Sequence, residues 1–129
     1  MSAPNLVKFT PSMLNVLAGQ HNIPLPFDRD ILIIEIHIAG TSYRKNIDQI
    51  EPSLNPGQMY RMVREPENKY DEFAIAIFFE DFQLGYVPAA QNEIIARLMD
   101  AGNMFFCKLL KKEWQGTWLK LETEIYMKD

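Results

Sequence analysis

Residues 63–88 constrain this chain more than any other stretch. They read Val63, Arg64, Glu65, Pro66, Glu67, Asn68, Lys69, Tyr70, Asp71, Glu72, Phe73, Ala74 and Ile75, then an apolar strand, then Leu84, Gly85, Tyr86, Val87 and Pro88. Pro66 fixes its own φ and pushes Glu65 toward extended geometry. Asn68 and Asp71 hydrogen-bond readily to nearby backbone and tolerate turn conformations. Strand-like runs at 58–64 and 73–79 flank this loop, so it presents Asn68, Tyr70 and Asp71 from a rigid base. An amide, an aromatic ring and a carboxylate set so close together make a small recognition surface. The same residues also suit a structural turn with Tyr70 capping the edge of the core, and the residues alone leave both readings open.

The remaining pattern is mostly of strands. Residues 31–39 are β-branched, with Ile34, Ile36 and Ile38 on one face and Glu35 and His37 on the other. Residues 40–56 form a polar connection with one helical turn near 47–50. In 58–64, Tyr60 and Met62 oppose Met59, Arg61 and Val63. Residues 73–79 are almost all apolar and read as a central strand, and Glu80 and Asp81 turn it into a returning strand at 83–87. Residues 92–101 read as a helix, with Ile94, Ile95, Leu98 and Met99 toward the core and Gly102 as its C-cap. Two long strands, 104–112 and 117–127, surround a turn at Gln115 and Gly116. Ahead of all this, residues 1–9 are expected as a loose arm with a short edge strand at 6–9. A short helix follows, with Thr10 as N-cap, Pro11 at its first position and Gly19 closing it, then a loop at 21–30. The expected fold is mainly β with one or two helices (α+β): a small OB-like β-barrel of about six strands spanning 31–129, with the 1–30 arm and helix packed on it.

Charge and composition narrow the function. A chain of 129 residues suits one domain. A net charge of −4 argues against broad, non-specific duplex binding, which leans on a strong basic field, but leaves room for a local site. The single Cys107 has no partner for an internal disulfide and fits a reducing compartment. No run approaches the ~20 apolar residues of a membrane helix, and residues 1–9 do not read as a secretory signal. A cytoplasmic protein without a membrane partner is expected.

Catalytic chemistry finds little to use. His21 lies in a Pro-rich loop and His37 on a strand face, neither within a motif. Cys107 sits mid-strand and reads as a buried, inert thiol. Glu65, Glu67, Asp71 and Glu72 are dense but lack calcium-loop spacing, and no Gly-rich phosphate loop is present. No catalysis, cofactor or metal is expected. Lys108, Lys111 and Lys112 near Trp114 and Trp118 read either as a solvated hairpin tip or as a base-stacking patch.

The motif formed by Arg64, Glu65, Pro66, Asn68, Tyr70, Asp71, Ala74 and Ile75, followed by Leu84, Gly85, Tyr86, Val87 and Pro88, resembles the core of the HIRAN domain. This domain is best known from the N-termini of fork-remodelling helicase-like ATPases and also occurs as short free-standing bacterial proteins. Upstream, Ile38, Ala39, Gly40, Thr41, Ser42 and Tyr43 are similar to its first strand and Gly-x-x-Tyr exit. Downstream, residues 92–102 are similar to its helix. The resemblance covers roughly residues 31–126.

This resemblance implies capture of the 3′-terminal nucleotides of single-stranded DNA, with an aromatic pair flanking the bases and a carboxylate reading the terminal hydroxyl. Position by position, Tyr43 and Tyr70 correspond to the stacking residues and Asp71 to the acceptor of the 3′-hydroxyl. Asn68 is expected to shape the loop or donate to a phosphate, and Tyr86 to add stacking surface or pack. Arg44, Lys45, Arg61 and Arg64 are the nearest candidate cations. The chain departs from the remodeler pattern at Ser42, where an arginine is expected, and at Tyr86 to Ala90, where a lysine-bearing turn is expected. The expected partners are a single-stranded DNA end and a DNA-processing protein, in DNA repair or processing. The alternative is a protein–protein interaction module on the same barrel. A third reading is an enzyme or small-ligand site formed by Tyr43, Tyr70 and Asp71.

Overall fold

The computed structural model describes residues 29–129. The expected arm, its edge strand and the helix opened by Thr10 lie outside the described residues. Six strands and two helices follow in chain order: β1 (Asp30–His37), α1 (Ile47–Ile50), β2 (Met59–Arg64), β3 (Ile75–Phe79), β4 (Phe82–Tyr86), α2 (Ala89–Asp100), β5 (Phe105–Gln115) and β6 (Trp118–Lys128). Single 3-10 turns at Thr41–Tyr43 and Glu51–Ser53 complete the connection between β1 and β2.

The strands form one sheet in the order β1-β6-β5-β2-β3-β4. The β6–β5, β5–β2, β2–β3 and β3–β4 pairings are antiparallel. The ladder does not run continuously round a barrel. One isolated antiparallel bridge, Ala39 to Tyr86, ties the chain just past β1 to the opposite edge strand β4. Ala39 N–H donates to the Tyr86 carbonyl at 2.8 Å and Tyr86 N–H to the Ala39 carbonyl at 2.9 Å. Gly85 permits that approach, because a Cβ there would lie 2.2 Å from the Ala39 carbonyl oxygen and 2.7 Å from Ile38 Cγ2. This mainly β, OB-like architecture agrees with the sequence reading.

Alternation places the core as expected. Ile36 and Ile38 of the first strand region, Tyr60 and Met62 of β2, and Leu119, Leu121, Thr123 and Ile125 of β6 are all buried. β3 lies between β2 and β4, and Ile75, Ala76 and Ile77 are fully buried, which explains its unbroken apolar run. Phe73, expected within this strand, instead belongs to the preceding loop. The β3–β4 turn at Glu80 and Asp81 is as read, with Glu80 at φ +53°. The β5–β6 loop is Gly116 and Thr117, one residue later than expected.

Helix α2 corrects one expectation. Ile94 is 72% exposed, whereas Asn92, Ile95 and Ala96 are buried. A 3.6-residue period puts 92, 95, 96 and 99 on one stripe and leaves 94 outside it. The helix ends in a Schellman arrangement: Gly102 N–H donates to the Met99 carbonyl at 2.9 Å and Asn103 N–H to the Leu98 carbonyl at 3.0 Å. Gly102, at φ +107°, takes the left-handed position next to the C-cap residue Ala101. No helix among the described residues is long and apolar enough to cross a membrane.

Candidate functional site

The loop at residues 65–74 joins β2 to β3 and is braced from within. Asn68 Oδ1 accepts from the N–H of Tyr70 at 2.8 Å and of Asp71 at 3.1 Å. Its Nδ2 donates to Glu65 Oε1 at 3.0 Å. Asn68 therefore shapes the loop, and one amide hydrogen remains for any further acceptor. Asp71 Oδ1 accepts from Phe73 N–H at 2.8 Å, an Asx-type turn that closes the loop into β3. Glu65 N–H donates to the Ala74 carbonyl at 2.9 Å, tying the two ends of the loop together.

Arg64 clamps the same loop from the end of β2. Its guanidinium donates to the carbonyls of Ala74 at 2.8 Å and Glu72 at 3.1 Å, and makes a two-pronged pair with Asp100 at 2.9 and 3.1 Å. Its side chain is only 12% exposed. The Arg64 guanidinium holds the Asp100 carboxyl below its ordinary range against the opposing effect of desolvation. Arg64, one of the candidate cations, is thus committed to internal acceptors. Arg61 donates to the Glu80 carbonyl at 3.1 Å and lies over the Phe78 ring, at the other end of β3 from the loop.

Two further elements meet this loop. Asn92, in the first turn of α2 and 3% exposed, donates from Nδ2 to Asp71 Oδ2 at 2.8 Å. Tyr86, at the end of β4, donates its hydroxyl to Glu65 Oε1 at 2.9 Å. One carboxylate oxygen of Glu65 thereby joins Tyr86 to Asn68. Tyr86 is half-buried and its hydroxyl is engaged, so it serves as a strut between the loop and β4.

The turn that carries Tyr43 is fixed to the same strut. It starts at Thr41, two residues beyond the Ala39–Tyr86 bridge, and Thr41 is fully buried and donates Oγ1 to the Leu119 carbonyl at 2.7 Å. Tyr43 N–H closes the turn on the Gly40 carbonyl at 3.1 Å. Gly40 takes φ +80°, a left-handed conformation suited to glycine. Tyr43 then projects with 83% exposure, and Tyr70 with 89%. Two bare aromatic rings thus stand on turns that are both anchored to Tyr86, one through main chain at Ala39 and one through Glu65. Tyr70 does not cap the core. Arg44 follows Tyr43, and its Nε is shielded with no hydrogen-bond acceptor among the described residues.

Sequence reasoning missed Glu65 and Asn92 as members of this network. Asn92 was legible in principle, because the phase of Ile95, Ala96 and Met99 turns a polar residue inward, where it needs a partner. A cavity of about 320 Å³ lies elsewhere, lined by Glu35, Ile36, His37, Pro88, Gln91 and Glu122, and includes none of Tyr43, Tyr70 or Asp71. Among the described residues, no group of three or more His, Cys, Asp or Glu side chains converges on a metal position. Burial pushes the Cys107 thiol up to about 12. In the basic cluster, Lys112 is paired with Glu51 at 2.6 Å, Trp114 bonds the same carboxylate, and Lys108 lies over Tyr126.

Comparison with known proteins bears on this arrangement. The solved structure of a protein from Lactobacillus plantarum is similar at a TM-score of 0.70 and 25% identity, covering 77% of this chain and 95% of that one. The HIRAN domain of human HLTF is similar in fold at a TM-score of 0.58 and 19% identity, covering 78% of this chain and 81% of that one. Comparison with curated proteins gave no match. The HIRAN domain model matches residues 31–128, which span every strand and both anchored turns, and the chain belongs to the HIRAN domain family.

Proposed function

We propose that this protein is a non-catalytic DNA-binding module that recognises the free 3′ end of single-stranded DNA, in DNA repair or processing. The observation that carries the reading is a pair of exposed tyrosines, Tyr43 and Tyr70, on braced turns, with the carboxylate of Asp71, next to Tyr70 in sequence, fixed by two hydrogen bonds. Exposed rings on a rigid base are stacking platforms for bases, whereas rings needed for stability are buried. Asp71 already accepts one hydrogen bond at each oxygen. A carboxylate offers about four acceptor positions, so a hydroxyl donor can still be received. A continuing strand would instead bring a phosphate against that negative charge and be repelled. Arg44, next to Tyr43, and the exposed Lys45 are the cations nearest in sequence to the position of the arginine absent at Ser42.

The test is fluorescence anisotropy with a short labelled oligonucleotide bearing a free 3′-hydroxyl. Tyr43→Ala and Tyr70→Ala should each lose about 1–3 kcal/mol of binding, the worth of one stacked base. Both rings are exposed, so the variants should retain stability within about 0.5 kcal/mol of wild type. Unchanged binding in both variants would refute the assigned stacking roles.

A further inference from the structure

Helix α2 meets the loop between β2 and β3 at three points along its length. In its first turn Asn92, 3% exposed, donates from Nδ2 to Asp71 Oδ2 at 2.8 Å. Further along, the Arg97 guanidinium lies 5.0 Å from the centroid of the Phe73 ring. At its end Asp100 pairs with Arg64, which also donates to the carbonyls of Glu72 and Ala74. Asn92 and Asp100 are eight residues apart, so the helix splints the loop over about 12 Å. Of the three contacts, the one from Asn92 goes to the Asp71 carboxylate itself.

The stripe that α2 turns toward the core is otherwise apolar, with Ile95 and Ala96 buried and Met99 packed against them. An apolar side chain at position 92 would complete the stripe without the cost of desolvating an amide. Asn92 instead spends its amide on Asp71. The other oxygen of that carboxylate accepts from Phe73 N–H at 2.8 Å. One hydrogen bond fixes one oxygen but leaves the carboxylate free to turn, because χ2 of an aspartate is a broad torsion. A second bond, from a different element, fixes the plane. The acceptor positions left on the two oxygens then point in set directions. We propose that Asn92 is a positioning residue for strand-end recognition: by holding Oδ2 it fixes the Asp71 carboxylate so that its remaining acceptor positions meet a 3′-hydroxyl. This rests on the reading of Asp71 as the acceptor of that hydroxyl. Asn92 works through Asp71 and needs no contact with the strand.

Anisotropy with two labelled oligonucleotides, one ending in a 3′-hydroxyl and one in a 3′-phosphate, tests this on Asn92→Leu, which fills a similar volume without a donor. Asp71 is half-buried, so water can replace the lost donor, and a thermal melt checks that the variant is folded at the assay temperature. Asn92→Ala takes its place if Asn92→Leu does not fold. The folded variant should lose most of the preference for the hydroxyl, from about tenfold or more in wild type to about threefold or less, with the loss on the hydroxyl strand. Partial unfolding would weaken both strands equally and leave the ratio unchanged. In an Asp71→Asn background, Asn92→Leu should alter the ratio by less than about twofold, because the two residues act as one unit. A folded variant that keeps the full preference, or affinities that fall in parallel for both strands, would overturn the proposal and leave the reading of Asp71 standing. Equal affinity of wild type for the two strands would overturn both.

Discussion

Asn92 donates from Nδ2 to Oδ2 of Asp71 at 2.8 Å, joining the first turn of α2 to the loop between β2 and β3. With Phe73 N–H on the other oxygen, the carboxylate is held from two directions. Asn92→Ala should cost about 1–3 kcal/mol of stability, since it removes a buried hydrogen bond to a charged acceptor. Asn92→Asp should cost more at neutral pH and recover part of the loss on acidification, because two facing carboxylates cannot both ionise cheaply. Denaturant titrations of the three proteins across pH measure this. Equal stability at neutral pH would contradict the placement.

Gly85 is the position where β4 meets the chain beyond β1. A methyl group there would collide with the Ala39 carbonyl oxygen, a backbone atom with little freedom to retreat. Gly85→Ala should therefore destabilise by about 1–3 kcal/mol or more through overpacking, and break the Ala39–Tyr86 bridge. A denaturant midpoint within error of wild type would show that the two segments do not approach so closely.

Acid sensitivity should involve Glu51. Its hydrogen bond from Lys112 lowers its pKa from the ordinary 4.5, against the opposing effect of burial. A folded pKa below the unfolded one means that the contribution is complete above about 4.5 and is lost as pH falls through the folded value. Thermal melts below pH 4.5 should show a steeper fall in Tm for wild type than for Glu51→Gln. Parallel curves would contradict it.

Cys107 is fully buried in β5 and its thiol is pushed up to about 12. Labelling by a water-soluble disulfide reagent should therefore follow unfolding of the sheet, with one thiol per chain released in denaturant. Rapid labelling of the native protein at neutral pH would contradict this packing.

The strands were legible because alternation and turn chemistry agree along most of them: Leu119, Leu121, Thr123 and Ile125 point inward in the structure as their spacing requires. The α2 stripe was less legible. Apolar type alone drew Ile94 inward, whereas the helical period turns it to solvent and brings in Asn92. At the candidate site, the sequence identified the loop but not its bracing. The bonds from Arg64 to Asp100, Tyr86 to Glu65 and Asn92 to Asp71 span 21 to 36 residues, and no local pattern encodes partners so far apart. Arg64 illustrates the consequence: read locally it is a cation near the site, whereas in the fold its donors are spent on the loop and α2.

The central claim rests on Asp71 distinguishing a strand end from a continuing strand. The direct measurement is anisotropy with two oligonucleotides that differ only in a 3′-hydroxyl or a 3′-phosphate, run with wild type and Asp71→Asn at low salt. Wild type should prefer the free hydroxyl by about tenfold or more, equivalent to about 1.4 kcal/mol. Asp71→Asn, which removes the charge while keeping an acceptor, should lose most of that preference. Equal affinity of wild type for both oligonucleotides, or a preference that survives in Asp71→Asn, would contradict the account.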